Sequence, residues 1–149
     1  MRRQAALCVL LILAVPAGAG AQSLEARLDG IFAGPSAIHA GAGVTAAVGT
    51  YVRSGIVGGI GGSRHGISGR LDLFSRFHLD PFREHKWALY AGGGLTARYD
   101  DNRQTRYFLL LLAGVDGPSR NGISPSIEAG LGGGGRIGVL VRRSAAERR

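Results

Sequence analysis

The stretch that decides the fold is ISGRLDLFSRFHLD, residues 67–80. Odd positions carry apolar or small residues and even positions carry polar or charged ones, and only Phe74 and Ser75 break the alternation. Successive side chains of a β-strand point to opposite faces, so this stretch predicts a strand with one apolar and one charged face. The function depends on which of the two faces contacts water.

The same alternation recurs along the chain and predicts an all-β protein. Five further segments show it: 37–49, 51–62, 87–99, 105–116 and 123–142. Short, turn-rich connections between sequential strands predict antiparallel hairpins, because parallel pairs need a long crossover. The prediction is an antiparallel up-and-down meander β-barrel with six clear strands and about eight in all. Two regions stay open: residues 22–36 fit a short helix or a first strand, and GGGG at 132–135 fits a hairpin turn or the middle of one long strand.

The N-terminal 21 residues have the pattern of a cleaved signal peptide. A basic start, an apolar run and the small-residue site Ala19-Gly20-Ala21 follow one another. The expected organisation is signal peptide 1–21, N-terminal segment 22–36, β-barrel 37–143 and basic tail 144–149. The only cysteine, Cys8, lies in the signal, so the mature chain is expected to form no disulfide and no thiolate metal site.

Composition argues against several functional classes. The formal net charge is +8, but the arginines are spread along the strands beside acids, so nucleic-acid binding is not predicted. The glycine-rich stretch 55–62 lacks the lysine and the following helix of a phosphate-binding loop. The four histidines lack metal-ligand spacing, so neither a metal nor a cofactor is predicted.

The charged parity also carries many of the 26 glycines. Glycine weakens a solvent-exposed strand but fits where space is scarce, as in a narrow closed barrel. We therefore predict a lumen filled by small residues and by ion pairs that neutralise one another. The predicted lumen network is Arg70, Asp72, Arg76, Arg98, Arg106, Glu128 and Arg136. Gly94 is predicted to face the same lumen, where alanine should be much better tolerated than leucine.

The apolar parity has aromatic residues at both ends of one strand. Trp87 and Tyr99 are separated by about 40 Å of strand, or roughly 30 Å along the membrane normal when tilted. Tyr107 begins the next predicted strand in the same belt. These three residues are predicted to be interface aromatics on a lipid-facing surface.

With this pattern and its signal peptide, the chain resembles the small outer-membrane β-barrel proteins of the OmpA-barrel and OmpX kind. The resemblance covers roughly residues 37–142. It implies an antiparallel barrel with periplasmic termini, inserted in the outer membrane of a Gram-negative-type bacterium, with membrane lipid as its partner. Because the lumen is expected to be filled by side chains, we predict a structural, non-enzymatic role.

Two alternatives remain open. A soluble exported barrel of the lipocalin type, periplasmic or secreted, would turn the apolar face inward to bind an apolar ligand. A lipid-modifying outer-membrane enzyme would need an acid–base pair, for which His78 and Asp80, two residues apart on one strand face, are the candidates.

Overall fold

Outward-facing and inward-facing side chains alternate along almost all of the chain that the structure describes. This structure is a computed structural model, and it describes residues 22–32, 36–63, 66–82, 84–100 and 105–144. Its eight strands are β1 Ser23–Phe32, β2 Ala37–Ala47, β3 Val52–Ser63, β4 Gly66–His78, β5 Ala88–Asp100, β6 Thr105–Asp116, β7 Ile123–Leu131 and β8 Gly135–Ser144. Within these residues, no helix is long and apolar enough to cross a membrane.

The strands form one closed barrel. Each pairs antiparallel with the next along the chain, and β8 pairs with β1. The predicted antiparallel meander barrel is confirmed, with eight strands. The predicted signal peptide and the residues after Ser144 lie outside the described residues.

Both regions that the sequence left open contribute strands. The first, SLEARLDGIF, is β1, and it pairs with β2 on one side and with β8 on the other. The second region contains a turn after Leu131, where Gly133 and Gly134 have φ angles of 71° and 142°. Residues that carry a side chain rarely adopt such φ angles. Glycine at these two positions therefore forms the turn that ends β7 and allows β8 to return beside it.

The apolar face of the sheet points outward. On β4, Leu71 and Leu73 are 47% and 58% exposed, whereas the alternating Arg70 and Asp72 are 6% and 0% exposed. Outward-facing side chains are mostly apolar on the other strands too, and buried charged side chains point into the barrel from β1, β5, β6, β7 and β8. The inward-facing core also has an apolar cluster, formed by Val57, Phe74, Tyr90, Leu110 and Leu112.

The two ends of the barrel differ. At one end, here called the termini end, Ser23 begins β1 and Ser144 ends β8 opposite it. At the opposite end the rim is stepped, because β7 stops at Leu131, which pairs with Leu111, while β6 extends to Thr105. Residues 105–110 of β6 therefore pair with β5 alone among the described strands.

Candidate functional site: the charged interior

Glu128 on β7 lies at the centre of the interior. Its carboxylate accepts hydrogen bonds from Arg27 Nη2 at 2.7 Å, Arg76 Nη2 at 2.7 Å and Arg136 Nη2 at 3.0 Å. The Tyr90 hydroxyl donates a further bond at 3.1 Å. Four strands thus converge on one buried carboxylate, which is compensated by three guanidinium groups.

Toward the termini end, the network continues through Glu25 and Asp116. Arg76 donates two bonds to Glu25, and Arg142 Nε lies 3.7 Å from the same carboxylate. Arg142 also donates from both terminal nitrogens to Asp116, each at 3.0 Å. Ser126 donates a third bond to Asp116 at 2.6 Å.

Toward the opposite end, the network continues through Asp29 and Asp72. Arg27 donates two bonds to Asp29, at 2.7 and 2.8 Å, and Arg70 donates another. Arg70 Nε lies 3.1 Å from Asp72, which also accepts a 2.8 Å bond from Arg136. The ion pairs therefore run without interruption from Asp116 to Asp29.

The charges in this interior nearly balance. The buried basic side chains are Arg27, Arg70, Arg76, Arg98, Arg136 and Arg142, and the buried acids are Glu25, Asp29, Asp72, Asp116 and Glu128. Arg98 pairs with the partly buried Asp100 at 3.0 Å. Burying an isolated charge is costly, so such an interior depends on its mutual pairing.

Glycine makes room for these charged groups. Gly138 on β8 pairs with Asp29 on β1, and a Cβ atom at position 138 would overlap the Asp29 carboxylate. Gly61 likewise leaves space for the His39 ring, which a Cβ atom there would strike. The inward-facing glycines thus leave space for larger side chains of the neighbouring strands.

Six of the seven residues predicted for the lumen network lie buried inside the barrel. Arg106 is the exception, because it is exposed. It follows Thr105 at the stepped end of β6, beyond the last residue of β7, so among the described strands only β5 lies beside it. Its predicted place in the buried network is therefore wrong.

Sequence reasoning missed Glu25, Arg27 and Asp29 as network members. They alternate with Leu24, Ala26 and Leu28 in β1, whose helix-or-strand assignment was left open. The strict alternation was the signal that could have identified them. Arg142 and Asp116 share the charged parity of their strands but were not included in the predicted network.

His78 pairs with Asp116 instead of its predicted partner, Asp80. His78 Nδ1 lies 3.5 Å from Asp116, while Nε2 has no hydrogen-bond partner among the described residues. His78 and Asp80 line the same cavity of about 20 Å³, but Asp80 lies beyond the end of β4. There it accepts the backbone N–H groups of His85 and Glu84, at 2.8 and 3.1 Å. These bonds, that of His85 foremost, lower the pKa of Asp80.

A second histidine has a serine partner. His39 Nε2 and Ser68 Oγ are within hydrogen-bond distance across the strand between them, and both side chains are buried. His39 Nδ1 has no partner among the described residues, so no acid orients the ring there. No group of three metal-ligating side chains occurs in the described part of the chain.

The three predicted interface aromatics lie on the outer surface. Trp87 directly precedes β5 and is 63% exposed. Tyr99 and Tyr107, 44% and 77% exposed, lie near the opposite end of the barrel. Tyr51 and Phe77 add a stacked pair at the termini end, with ring centroids 5.6 Å apart. Aromatic side chains therefore border the apolar band at both ends.

Comparison with known proteins identifies the fold. No family model and no curated protein matches the chain. Among solved structures, the chain is similar to the N-terminal β-barrel domain of Pseudomonas aeruginosa OprF, with 15% identity and a TM-score of 0.71, over 84% of this chain and 97% of that one. Neisserial surface protein A matches with 11% identity and a TM-score of 0.63, over 83% of this chain and 95% of that one.

A de novo designed transmembrane β-barrel also matches, with 12% identity and a TM-score of 0.60, over 85% of this chain and 96% of that one. The predicted resemblance to small outer-membrane β-barrels is confirmed at the level of the fold. Its features are those described above: a closed eight-stranded meander with an apolar exterior.

Proposed function

We propose that this chain is a structural, non-enzymatic barrel of the bacterial outer membrane, with a lumen closed by its own side chains. The observation that carries the proposal is the apolar outer face of the strands, which surrounds an interior where most of the buried side chains are charged or polar. Lipid cannot hydrogen-bond the backbone, and a closed barrel pairs those groups internally. Aromatic borders at both ends of the apolar band further support a membrane location.

The interior favours a structural role over conduction. An eight-stranded barrel is just wide enough for its side chains to fill. Here Arg76 crosses the interior to bond Glu25 and Glu128, and its guanidinium lies 4.2 Å from the centroid of the Phe74 ring. We therefore expect no steady single-channel current from the protein in planar bilayers. A reproducible open level would contradict the closed lumen.

Cell fractionation tests the location. The full chain, expressed in a Gram-negative host, should be recovered with the outer membrane and should migrate differently on gels before and after boiling. The soluble lipocalin-like alternative predicts a freely soluble periplasmic monomer instead. It would also require an apolar interior, whereas the large hydrophobic side chains of β4 and β5 lie mostly outside.

A lipid-modifying enzyme is the second candidate, because His78 combines a carboxylate partner with a second nitrogen that has no partner among the described residues. A histidine held by an acid can act as a general base. Neither a serine nor another nucleophile is bonded to that nitrogen within the described chain. We expect His78→Ala to alter stability alone, and loss of a phospholipase or acyltransferase activity from a folded variant would favour the enzyme.

A further inference from the structure

Two outward-facing arginines lie on either side of one residue, Ile123, at the termini end. Asn121 and Gly122 form a two-residue turn with φ angles of 51° and 74°. Two positive φ angles in succession are typical of the hairpin turn that matches strand twist. The turn places Arg120 opposite Ile123, with reciprocal backbone hydrogen bonds of 2.9 Å.

Ile123 in turn pairs with Arg143 on β8. Directly paired residues share a face of the sheet, and all three of these side chains are exposed. Neighbouring strands lie about 4.8 Å apart, so the two arginine Cα atoms flank Ile123 at roughly 10 Å from each other. Two arginine side chains at that separation can reach a single group between them.

Among the described residues, no carboxylate pairs with either arginine. Neither Arg120 nor Arg143 forms an ion pair with any residue in the described ranges. Most of the described carboxylates are inside the barrel, and Asp80 is occupied by its own loop. The pair is therefore a cationic site on an outer surface that is otherwise mostly apolar.

The position of the pair indicates what could neutralise it. Leu24 lies beside Arg143 on β1, and Val141 follows on the outer face of β8, both exposed. An occupant would thus meet positive charge at the rim and an apolar surface along the barrel wall. A phospholipid has a phosphate and acyl chains in that order, and guanidinium groups bind phosphate through paired hydrogen bonds.

We propose that Arg120 and Arg143 form a clamp for the phosphate of an anionic phospholipid, whose acyl chain lies along Ile123 and Val141. This inference rests on the proposed membrane location. It also gives the barrel an orientation, with the termini end in a leaflet that contains anionic phospholipid. Basic groups near a membrane surface each favour anionic lipid by about fivefold in binding constant.

The test compares lipid association between variants. The full-length protein is reconstituted in phosphatidylcholine vesicles that contain a minority of spin-labelled phosphatidylglycerol, at low salt. The double variant R120Q/R143Q should lose more than tenfold of the preference for the labelled anionic lipid, since each arginine contributes about fivefold. R106Q, which removes one exposed arginine at the opposite end, should lose no more than about the fivefold that a single basic group near a membrane surface contributes.

Several outcomes would overturn the clamp. They are an unchanged preference in R120Q/R143Q, an equal loss in R106Q, and displacement of the labelled lipid by millimolar inorganic phosphate, which would make the site a general anion site. Each variant is first checked for the folded gel band, so that misfolding is not read as lost binding. Failure of the wild type to enter vesicles would contradict the membrane location instead, and the two failures are thus distinguishable.

Discussion

Single residues decide how closely the strands approach one another in this barrel. Gly94 on β5 faces inward, and a Cβ atom there would overlap the Leu73 carbonyl oxygen and lie 2.7 Å from Phe74 Cα. The obstruction begins at the first side-chain carbon, so alanine is itself expected to destabilise the barrel, and the greater cost of leucine stays a prediction. We expect Gly94→Ala to lower the free energy of unfolding by about 1–3 kcal/mol, as overpacking does.

The matched control is Gly58→Ala on β3. A Cβ atom at that outward position would meet nothing within 4 Å, so the change should stay within about 0.5 kcal/mol. Urea unfolding of both variants in the same lipid vesicles makes the comparison. Equal stability of the two variants would mean that β4 and β5 are not packed as closely as described.

Glu128 provides the second prediction at this scale. Glu128→Gln keeps the shape of the side chain but removes the charge that compensates Arg27, Arg76 and Arg136. Breaking a buried ion pair from one side costs about 3–5 kcal/mol, because the remaining charge is uncompensated. Urea unfolding should show a loss of that size, whereas Arg106→Gln at an exposed position should change stability by less than about 0.5 kcal/mol. If Glu128→Gln left the free energy of unfolding unchanged, water would already screen these charges.

Among the elements, the strands with strict alternation could be predicted from sequence, and β4 is the clearest case. β1 also alternates strictly, but its assignment stayed open because SLEARLDGIF satisfies a helical pattern as well over so short a length. What decides it is the pairing with β2 and β8, which is a long-range interaction. The partner of His78 was beyond prediction for the same reason, since Asp116 lies on another strand.

The step between β6 and β7 gives a prediction about hydrogen exchange. Residues 111–116 of β6 pair on both sides, whereas residues 105–110 pair with β5 alone among the described strands. Backbone amides that point toward β7 from residues 105–110 should therefore exchange much faster than those from residues 111–116. Amide exchange followed by NMR in lipid nanodiscs measures this. Uniform protection along β6 would indicate that another segment covers the open edge.

At the scale of the whole molecule, the barrel has the reverse of the usual soluble arrangement. Its interior contains a balanced set of arginines and carboxylates, and its exterior is a band of leucine, isoleucine and valine. Exposed apolar surface of this extent is unfavourable in water, which supports the proposed membrane location. The strands are long enough for that role, since β4 and β5 each have 13 residues and a tilted strand crosses a bilayer with about 9–11.

The contrast between the middle and the end of one strand tests this arrangement. Leu73 lies near the middle of β4 and Ile67 near its start, and both face outward, at 58% and 74% exposed. If lipid surrounds the barrel, Leu73→Arg should cost about 2–4 kcal/mol and Ile67→Arg only about 0–1 kcal/mol, because the penalty depends on depth. Urea unfolding in vesicles measures both variants against the wild type. If water surrounded the barrel instead, both arginines would be surface substitutions within about 0.5 kcal/mol, and the absence of a depth dependence would exclude the membrane location.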